Sequence, residues 1–226
     1  MFAPHPGHEE ELYFCDKSSF ARTSKFIPRV MTARILGFIA VLLAWNHSNA
    51  DEFPTPITRN IEGWQIEIDP DILTEENRVQ GELTLKALAN HLQRITWILP
   101  EDRVDALRKL PIRIDWNHEL TNMQYHPSQG WLVRNGYDPK LAKHVHIPRA
   151  RQLLNPSQWA KHPYVVLHEL AHAYHDQVLS FEHPEIIGNY ENARNAGIYE
   201  KVTLYTGARV KHYGLTNHKE YFAECS

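Results

Sequence analysis

The chain has 226 residues, of which 42% are hydrophobic and 23% charged, a composition typical of a soluble globular protein. Its formal net charge is −3, and it contains no basic run of the kind that nucleic-acid binding needs, so no nucleic-acid partner is expected. The length suits one compact domain preceded by a leader.

The first fifty residues predict a leader rather than part of the fold. Residues 31–50, MTARILGFIAVLLAWNHSNA, begin with a basic n-region, continue into an apolar core and end in a small-x-small triplet. This is the pattern of a secretory signal peptide, with Met31 as the start and cleavage after Ala50. The alternative is a membrane anchor, but the apolar run is short for a bilayer span. We therefore expect a secreted or periplasmic domain, residues 51–226, with no stable membrane insertion after cleavage.

Hydrophobic spacing in residues 51–226 predicts strands where apolar and polar residues alternate, and helices where apolar residues recur every three to four positions. A linker is expected at 51–59, and a long loop or weak hairpin at 116–138. The strand at 143–148 is expected at a sheet edge, because Pro148 closes it. Strands before helices favour an α+β domain with a small mixed sheet. The predicted strands are 64–69, 111–115 and 143–148. The predicted helices are one that Thr74 or Asn77 caps and whose apolar residues recur from 83 to 98, then 101–110, 163–179, 184–195 and one from about 217.

The sequence His168-Glu169-Leu170-Ala171-His172 lies in the predicted helix 163–179. Residues four apart share a helix face, so both imidazoles can reach one ion. Zinc is commonly held by three protein ligands at catalytic sites. Glu169 is placed to take a proton from the water that the metal activates. This H-E-x-x-H pattern is typical of zinc metallopeptidases, and the alternative is a surface helix that happens to carry two histidines.

A third ligand is needed, and two carboxylates compete for the role. The metzincin pattern is excluded, because it needs Gly at position 175 and His at 178, where this chain has His and Val. Glu191 follows at a spacing that some zinc enzymes with a glutamate ligand use. Glu220 and Glu224 are four apart on one predicted helix face, so one can bind metal while the other orients a ligand histidine. The alternatives are a solvated acid at Glu191 and a helix-capping role for Glu220, with Asn217 as the cap.

The segment 213–224, YGLTNHKEYFAE, resembles the catalytic domain of anthrax lethal factor and its relatives, which pair HExxH with a downstream Y-G-x-T-N-x-x-E-[FY]-F-A-E segment. The resemblance covers about residues 163–224 and implies a zincin-like fold. It implies that Glu220 is the third zinc ligand, Tyr213 the active-site tyrosine and Glu224 the supporting acid, while Asp176 matches a further acid after HExxH. The family continues its helix where this chain stops, so a truncated C-terminus is expected.

These observations predict a secreted metallopeptidase that binds one Zn²⁺ and hydrolyses a peptide or protein substrate. In it, the Tyr213 hydroxyl stabilises the oxyanion or protonates the leaving amine. The alternatives are a zinc amidase acting on cell-wall peptides and a non-catalytic module that keeps zinc structurally.

Two smaller features leave alternatives open. Strand 143–148 is a candidate for peptide binding by strand addition, and His144 and His146 on it suggest either a second metal site or a solvated strand face. Cys225 is expected to be a buried cysteine, a free thiol or an intermolecular link.

Overall fold

The computed structural model describes residues 53–226, and the predicted signal peptide with its cleavage site lies outside them. Within residues 53–226, no helix combines the length and apolar character needed to cross a membrane. In chain order the elements are β1 (Ile57–Ile61), β2 (Trp64–Ile68), α1 (Arg78–Ile98), α2 (Glu101–Leu107), β3 (Ile112–Ile114), β4 (Gln124–Tyr125), α3 (Gln129–Arg134), β5 (Val145–Ile147), α4 (Pro156–Lys161), α5 (Val165–Tyr174), α6 (Pro184–Ala196), β6 (Val202–Thr203), β7 (Arg209–Val210) and α7 (His218–Glu224).

Five strands form a mixed sheet in the order β1-β2-β3-β5-β4. The strands β2, β3 and β5 are parallel, whereas β1 and β4 pair antiparallel at the two edges. All three residues of β3 and of β5 are buried, as expected for central parallel strands covered on both faces. The α+β class and the small mixed sheet are therefore confirmed.

The first strand occupies part of the segment predicted to be a linker. Residues 57–61 pair with β2 across a two-residue turn, Glu62–Gly63, in which both residues have positive φ. A turn of this kind matches the twist of the flanking strands. The prediction of a linker was wrong for these residues because β1 is mostly exposed and shows no apolar alternation. Its strand conformation depends on hydrogen bonding to β2, not on burial.

One edge of the sheet is β4, which lies inside the segment predicted to be a long loop or a weak hairpin. The predicted edge strand, β5, is instead enclosed between β3 and β4. A two-residue strand is too short for a hydrophobic period to reveal it. The prediction of strand addition at 143–148 is therefore wrong, because the hydrogen-bonding groups of β5 are already paired on both sides.

The long helices pack on the sheet through apolar faces that their sequence spacing predicts. In α1 the buried face includes Leu88, Leu92 and Ile95, and each such side chain contributes about 2 kcal/mol when fully buried. α5 is buried on most sides, because it contacts α1, α7, β4 and β5. It ends in a π-helical turn, His175–Leu179, which carries the helical segment to the predicted end. The HExxH sequence thus lies on a rigid, enclosed helix.

Candidate metal centre

Three metal-binding side chains converge between α5 and α7. The Nε2 atoms of His168 and His172 lie 3.2 Å apart, and the Oε2 atom of Glu220 lies 3.3 Å from each of them. The histidines come from successive turns of α5 and project from one face. Glu220 comes from the first turn of α7, which packs against α5. These residues form a group that could hold a metal ion.

The size of this triangle fits a small tetrahedral cation. With metal–ligand bonds of about 2.0–2.1 Å, as in tetrahedral zinc sites, neighbouring donor atoms lie about 3.3–3.4 Å apart. The observed sides are 3.2, 3.3 and 3.3 Å. The Oε2 atom of Glu220 is also buried and makes no well-aligned hydrogen bond with the imidazoles that face it, which is costly for a carboxylate oxygen unless a cation satisfies it. Two imidazole nitrogens and a carboxylate oxygen are ligands that zinc accepts.

A second carboxylate on α7 orients one ligand ring. Glu224 Oε1 lies 3.2 Å from Nδ1 of His168. A carboxylate can only accept, so the neutral ring keeps its proton on Nδ1 and directs the lone pair of Nε2 into the triangle. The other oxygen of Glu224 lies 3.7 Å from Nε2 of His212. Glu220 and Glu224, which were predicted to share one helix face, therefore contact the two ring nitrogens of the same imidazole.

The beginning of α7 is fixed by Asn217. Its side-chain oxygen accepts hydrogen bonds from the backbone N–H of Lys219, at 2.9 Å, and of Glu220, at 3.0 Å. This N-cap satisfies amides that the helix itself leaves without acceptors. Asn217 is thus the cap that the sequence suggested, while the Glu220 carboxylate faces the two histidines.

The charges of the cluster favour a cation at its centre. Burial lowers the pKa of His168, but Glu220 and Glu224 outweigh burial and raise that pKa to about 10. Burial raises the pKa of Glu220, but the facing imidazoles of His168 and His172 hold it at about 2. Without metal, the cluster therefore keeps a proton on His168 between two carboxylates. A metal ion would displace that proton, because it binds the neutral imidazole.

Glu169 lies on α5 between the two histidines in sequence, and β4 holds its carboxylate. The backbone N–H of Tyr125 donates a 2.9 Å hydrogen bond to its Oε2 atom. The residue is only 8% exposed, and burial raises its pKa to about 7 against the lowering effect of His172 and His168. A fixed carboxyl group with a pKa near neutrality is suited to accept a proton and return it.

Asp176 does not contact the ligand triangle directly. Its Oδ2 atom accepts a 2.6 Å hydrogen bond from the hydroxyl of Tyr125 and pairs with the ammonium of Lys143. The contact raises the pKa of Tyr125, together with the larger effect of burial. Asp176 therefore anchors the residue whose backbone N–H binds Glu169.

An open cleft of about 380 Å³ leads to the centre. Tyr213 lines it together with the ligand triangle and Glu169. The Tyr213 side chain is exposed. The residue lies in a short 3-10 turn, Tyr213–Leu215, that precedes α7. Burial, followed by the charge of Glu220, raises the pKa of the Tyr213 phenol, so the hydroxyl is a proton donor at neutral pH. The hydroxyl can donate a hydrogen bond to a negative charge that develops in the cleft.

The competing ligand candidate is not at this centre. Glu191 lies on an exposed position of α6, and within residues 53–226 no group capable of holding a metal includes it. Cys225 is exposed and unpaired among the described residues, at the end of α7.

A second group that could hold a metal comprises Asp115, His118 and His146. Here the charges are already matched, because Asp115 accepts from Arg113 at 2.7 Å and contacts His146 at 2.8 Å. A nearby guanidinium also opposes an added cation. Neither alternative for His144 and His146 holds. Neither metal-capable group found in residues 53–226 contains His144, which pairs with Glu67, and His146 is fully buried rather than on a solvated strand face.

Three residues that bear on the chemistry of the cleft were not predicted from the sequence. Tyr125 contributes a backbone donor, a feature that no side-chain pattern reveals, and it sits in a strand too short to predict. Phe181 and Lys219 form one wall of the cleft. Lys219 immediately precedes the candidate ligand Glu220, and this position in the sequence could have indicated that it lies near the centre.

Comparisons of the chain with protein-family models, with curated proteins and with solved structures found no match.

Proposed function

We propose that the chain is a zinc-dependent peptidase with a zincin-like fold, in which His168, His172 and Glu220 hold one Zn²⁺. The observation that carries this proposal is the triangle of donor atoms, with sides of 3.2, 3.3 and 3.3 Å, which includes a buried carboxylate oxygen that makes no well-aligned hydrogen bond. Three ligands from residues 53–226 meet there, which is the number typical of catalytic rather than structural zinc. The resemblance of 213–224 to the lethal factor family favours the same assignment.

When bound, the zinc supplies Lewis acidity for the scissile carbonyl and the attacking water. Glu169 accepts a proton from that water at its carboxylate and passes it to the leaving amine, while the Tyr125 N–H holds the carboxylate in place. The hydroxyl of Tyr213 donates to the oxyanion that forms as water attacks. Glu224 keeps His168 in the tautomer that a metal ligand needs.

The substrate is a peptide or protein that enters the cleft beside β4. Alternate residues of an antiparallel strand direct their backbone groups to opposite sides. His126 bonds to the partner strand through both its N–H and its carbonyl, so the groups of Tyr125 and Met123 face away from β5. The Tyr125 N–H is used by Glu169, and the remaining groups are available to an extended substrate.

The test is metal content, measured on the secreted protein and two alanine variants by elemental analysis after dialysis. Wild type and Glu191→Ala should each retain about one zinc per chain, and Glu220→Ala should lose it. Glu191 is the matched control, because it is an exposed glutamate on a neighbouring helix. Loss of zinc from Glu191→Ala alone, or a wild type without zinc, would rule out this centre.

Activity is tested on quenched fluorescent peptides. Zinc-loaded wild type should hydrolyse them, chelation should abolish hydrolysis and added zinc should restore it. Glu169→Gln should bind zinc normally and lose about 10²–10⁴-fold in kcat. A Glu169→Gln variant as active as wild type would contradict the assigned base.

A further inference from the structure

The lining of the cleft carries one positive charge besides the histidines, on Lys219. The ammonium of Lys219 lies 4.0 Å from the centre of the Phe181 ring, within cation–π range. Both residues line the cleft. Phe181 is partly buried and packs against the hydrophobic core, so the surface that supports the ammonium is rigid. The N-cap bond from the Lys219 backbone to Asn217 fixes the other end of the side chain.

Among residues 53–226, this ammonium has no acidic partner. Among the ion pairs of residues 53–226, none involves Lys219. The acids that line the cleft are Glu169 and Glu220, and both are engaged, the first by Tyr125 and the second by the histidines. An unpaired, half-buried cation beside a binding site is best satisfied by an anion from the ligand.

The charge balance of the loaded cleft leads to the same conclusion. Two carboxylates and a divalent cation cancel, which leaves the Lys219 ammonium as the net charge of the lining. Met123, Pro127 and Phe181 contribute apolar surfaces to the same lining. The cleft therefore offers an apolar wall with one positive charge, close to the bond-breaking centre, because Lys219 immediately precedes the candidate ligand Glu220.

We infer that Lys219 is a specificity-determining residue that binds a substrate carboxylate near the scissile bond, so that the preferred substrates are acidic peptides. This inference rests on the proposed peptidase function and names its substrate class. The carboxylate comes either from an Asp or Glu side chain or from the C-terminus of the peptide, since the ammonium recognises both in the same way.

The experiment uses the full secreted chain, zinc-loaded, and quenched hexapeptides in which Glu or Gln occupies each of the three positions on either side of the bond in turn. Wild type should prefer Glu at one position by about tenfold in kcat/KM, and the ratio should shrink in high salt because an ion pair that solvent can reach is screened. Free-acid and amidated forms of the same peptides distinguish a chain terminus from a side chain.

Three variants identify the source of the preference. Lys219→Met should reduce the Glu-to-Gln ratio to about one, Lys219→Glu should reverse it in favour of a Lys peptide, and Lys219→Arg should keep it, because an arginine also stacks on an aromatic ring. Lys86→Met is the matched control, since Lys86 is exposed on α1 and does not line the cleft. Zinc content, measured on each variant, separates loss of specificity from loss of metal.

Binding of the same peptides to the Glu169→Gln chain, followed by calorimetry, separates this inference from the proposed function. Tighter binding of acidic peptides without hydrolysis by wild type would support the role of Lys219 and overturn the peptidase. Hydrolysis with equal rates and equal affinity for Glu and Gln peptides would overturn the role of Lys219 and leave the peptidase standing. A preference that survives in Lys219→Met, or the absence of binding by every peptide, would also overturn it.

Discussion

Replacing Glu169 with glutamine should stabilise the metal-free protein at alkaline pH, because the native carboxylate is ionised there in a buried position. Burial raises its pKa from an ordinary value of 4.5 to about 7. A folded-state pKa above the unfolded value means that stability is fully present below pH 4.5 and declines as the pH rises to 7. The free energy of unfolding falls by ~3 kcal/mol over this range, and the uncharged glutamine does not cause that loss. Glutamine also keeps an oxygen that can accept from the Tyr125 N–H.

The assay is urea unfolding of chelator-stripped wild type and Glu169→Gln at pH 5.0 and pH 8.5. The free energy of unfolding of the variant, relative to wild type, should rise by about 2–3 kcal/mol between these two values. A difference that stays the same at both values would refute the claim that burial opposes ionisation of Glu169. A variant that becomes relatively less stable at pH 8.5 would mean that the site favours the carboxylate even without metal.

Three further substitutions test the support of the site and of the fold. Glu224→Gln should weaken zinc affinity about 10–100-fold in competition with a chromogenic chelator, because His168 Nδ1 loses its charged acceptor at 3.2 Å; unchanged affinity would show that the contact does not orient the ring. Tyr213→Phe should lower kcat about 10²-fold and leave KM nearly unchanged, and a rise in KM alone would assign the hydroxyl to substrate binding instead. Gly81→Ala should destabilise the protein by about 1–3 kcal/mol in urea unfolding, although alanine favours helices, because its Cβ would lie 2.1 Å from the carbonyl oxygen of Ile72. A higher urea midpoint for Gly81→Ala would mean that the turn before α1 moves aside.

Helices with an apolar face were the elements that sequence predicted best. The spacing of Leu88, Leu92 and Ile95 indicated α1, and the helix follows Asn77, one of the two caps that the sequence suggested, although the Asn77 side chain makes no capping hydrogen bond. The short strands at the two edges were missed or mislocated. β1 buries little and β4 has only two residues, so neither shows an apolar period, and only their pairing with β2 and β5 makes them strands.

The candidate site likewise has parts that the sequence predicted and parts that it did not. The spacing of His168 and His172 by itself determines that they share a helix face, because four residues make about one helical turn. The similarity of 213–224 to the lethal factor family singles out Glu220 and Glu224 from the amino-acid sequence. The position of Glu169 against the Tyr125 N–H could not be predicted, since a backbone donor depends on which strand passes the helix.

The sequence alone therefore determined the local parts of this protein: the helix that carries HExxH, the cap at Asn217 and the pairing of Glu220 with Glu224 one turn later. These features depend on contacts within a few residues, where the 3.6-residue period leaves little choice. Only the tertiary structure decided that α7 packs on α5 and closes the donor triangle. It also decided that β4 is an edge strand and that the Lys219 ammonium lies over Phe181 in the cleft. Those contacts join distant segments of the chain, and burial of the common core fixes them together.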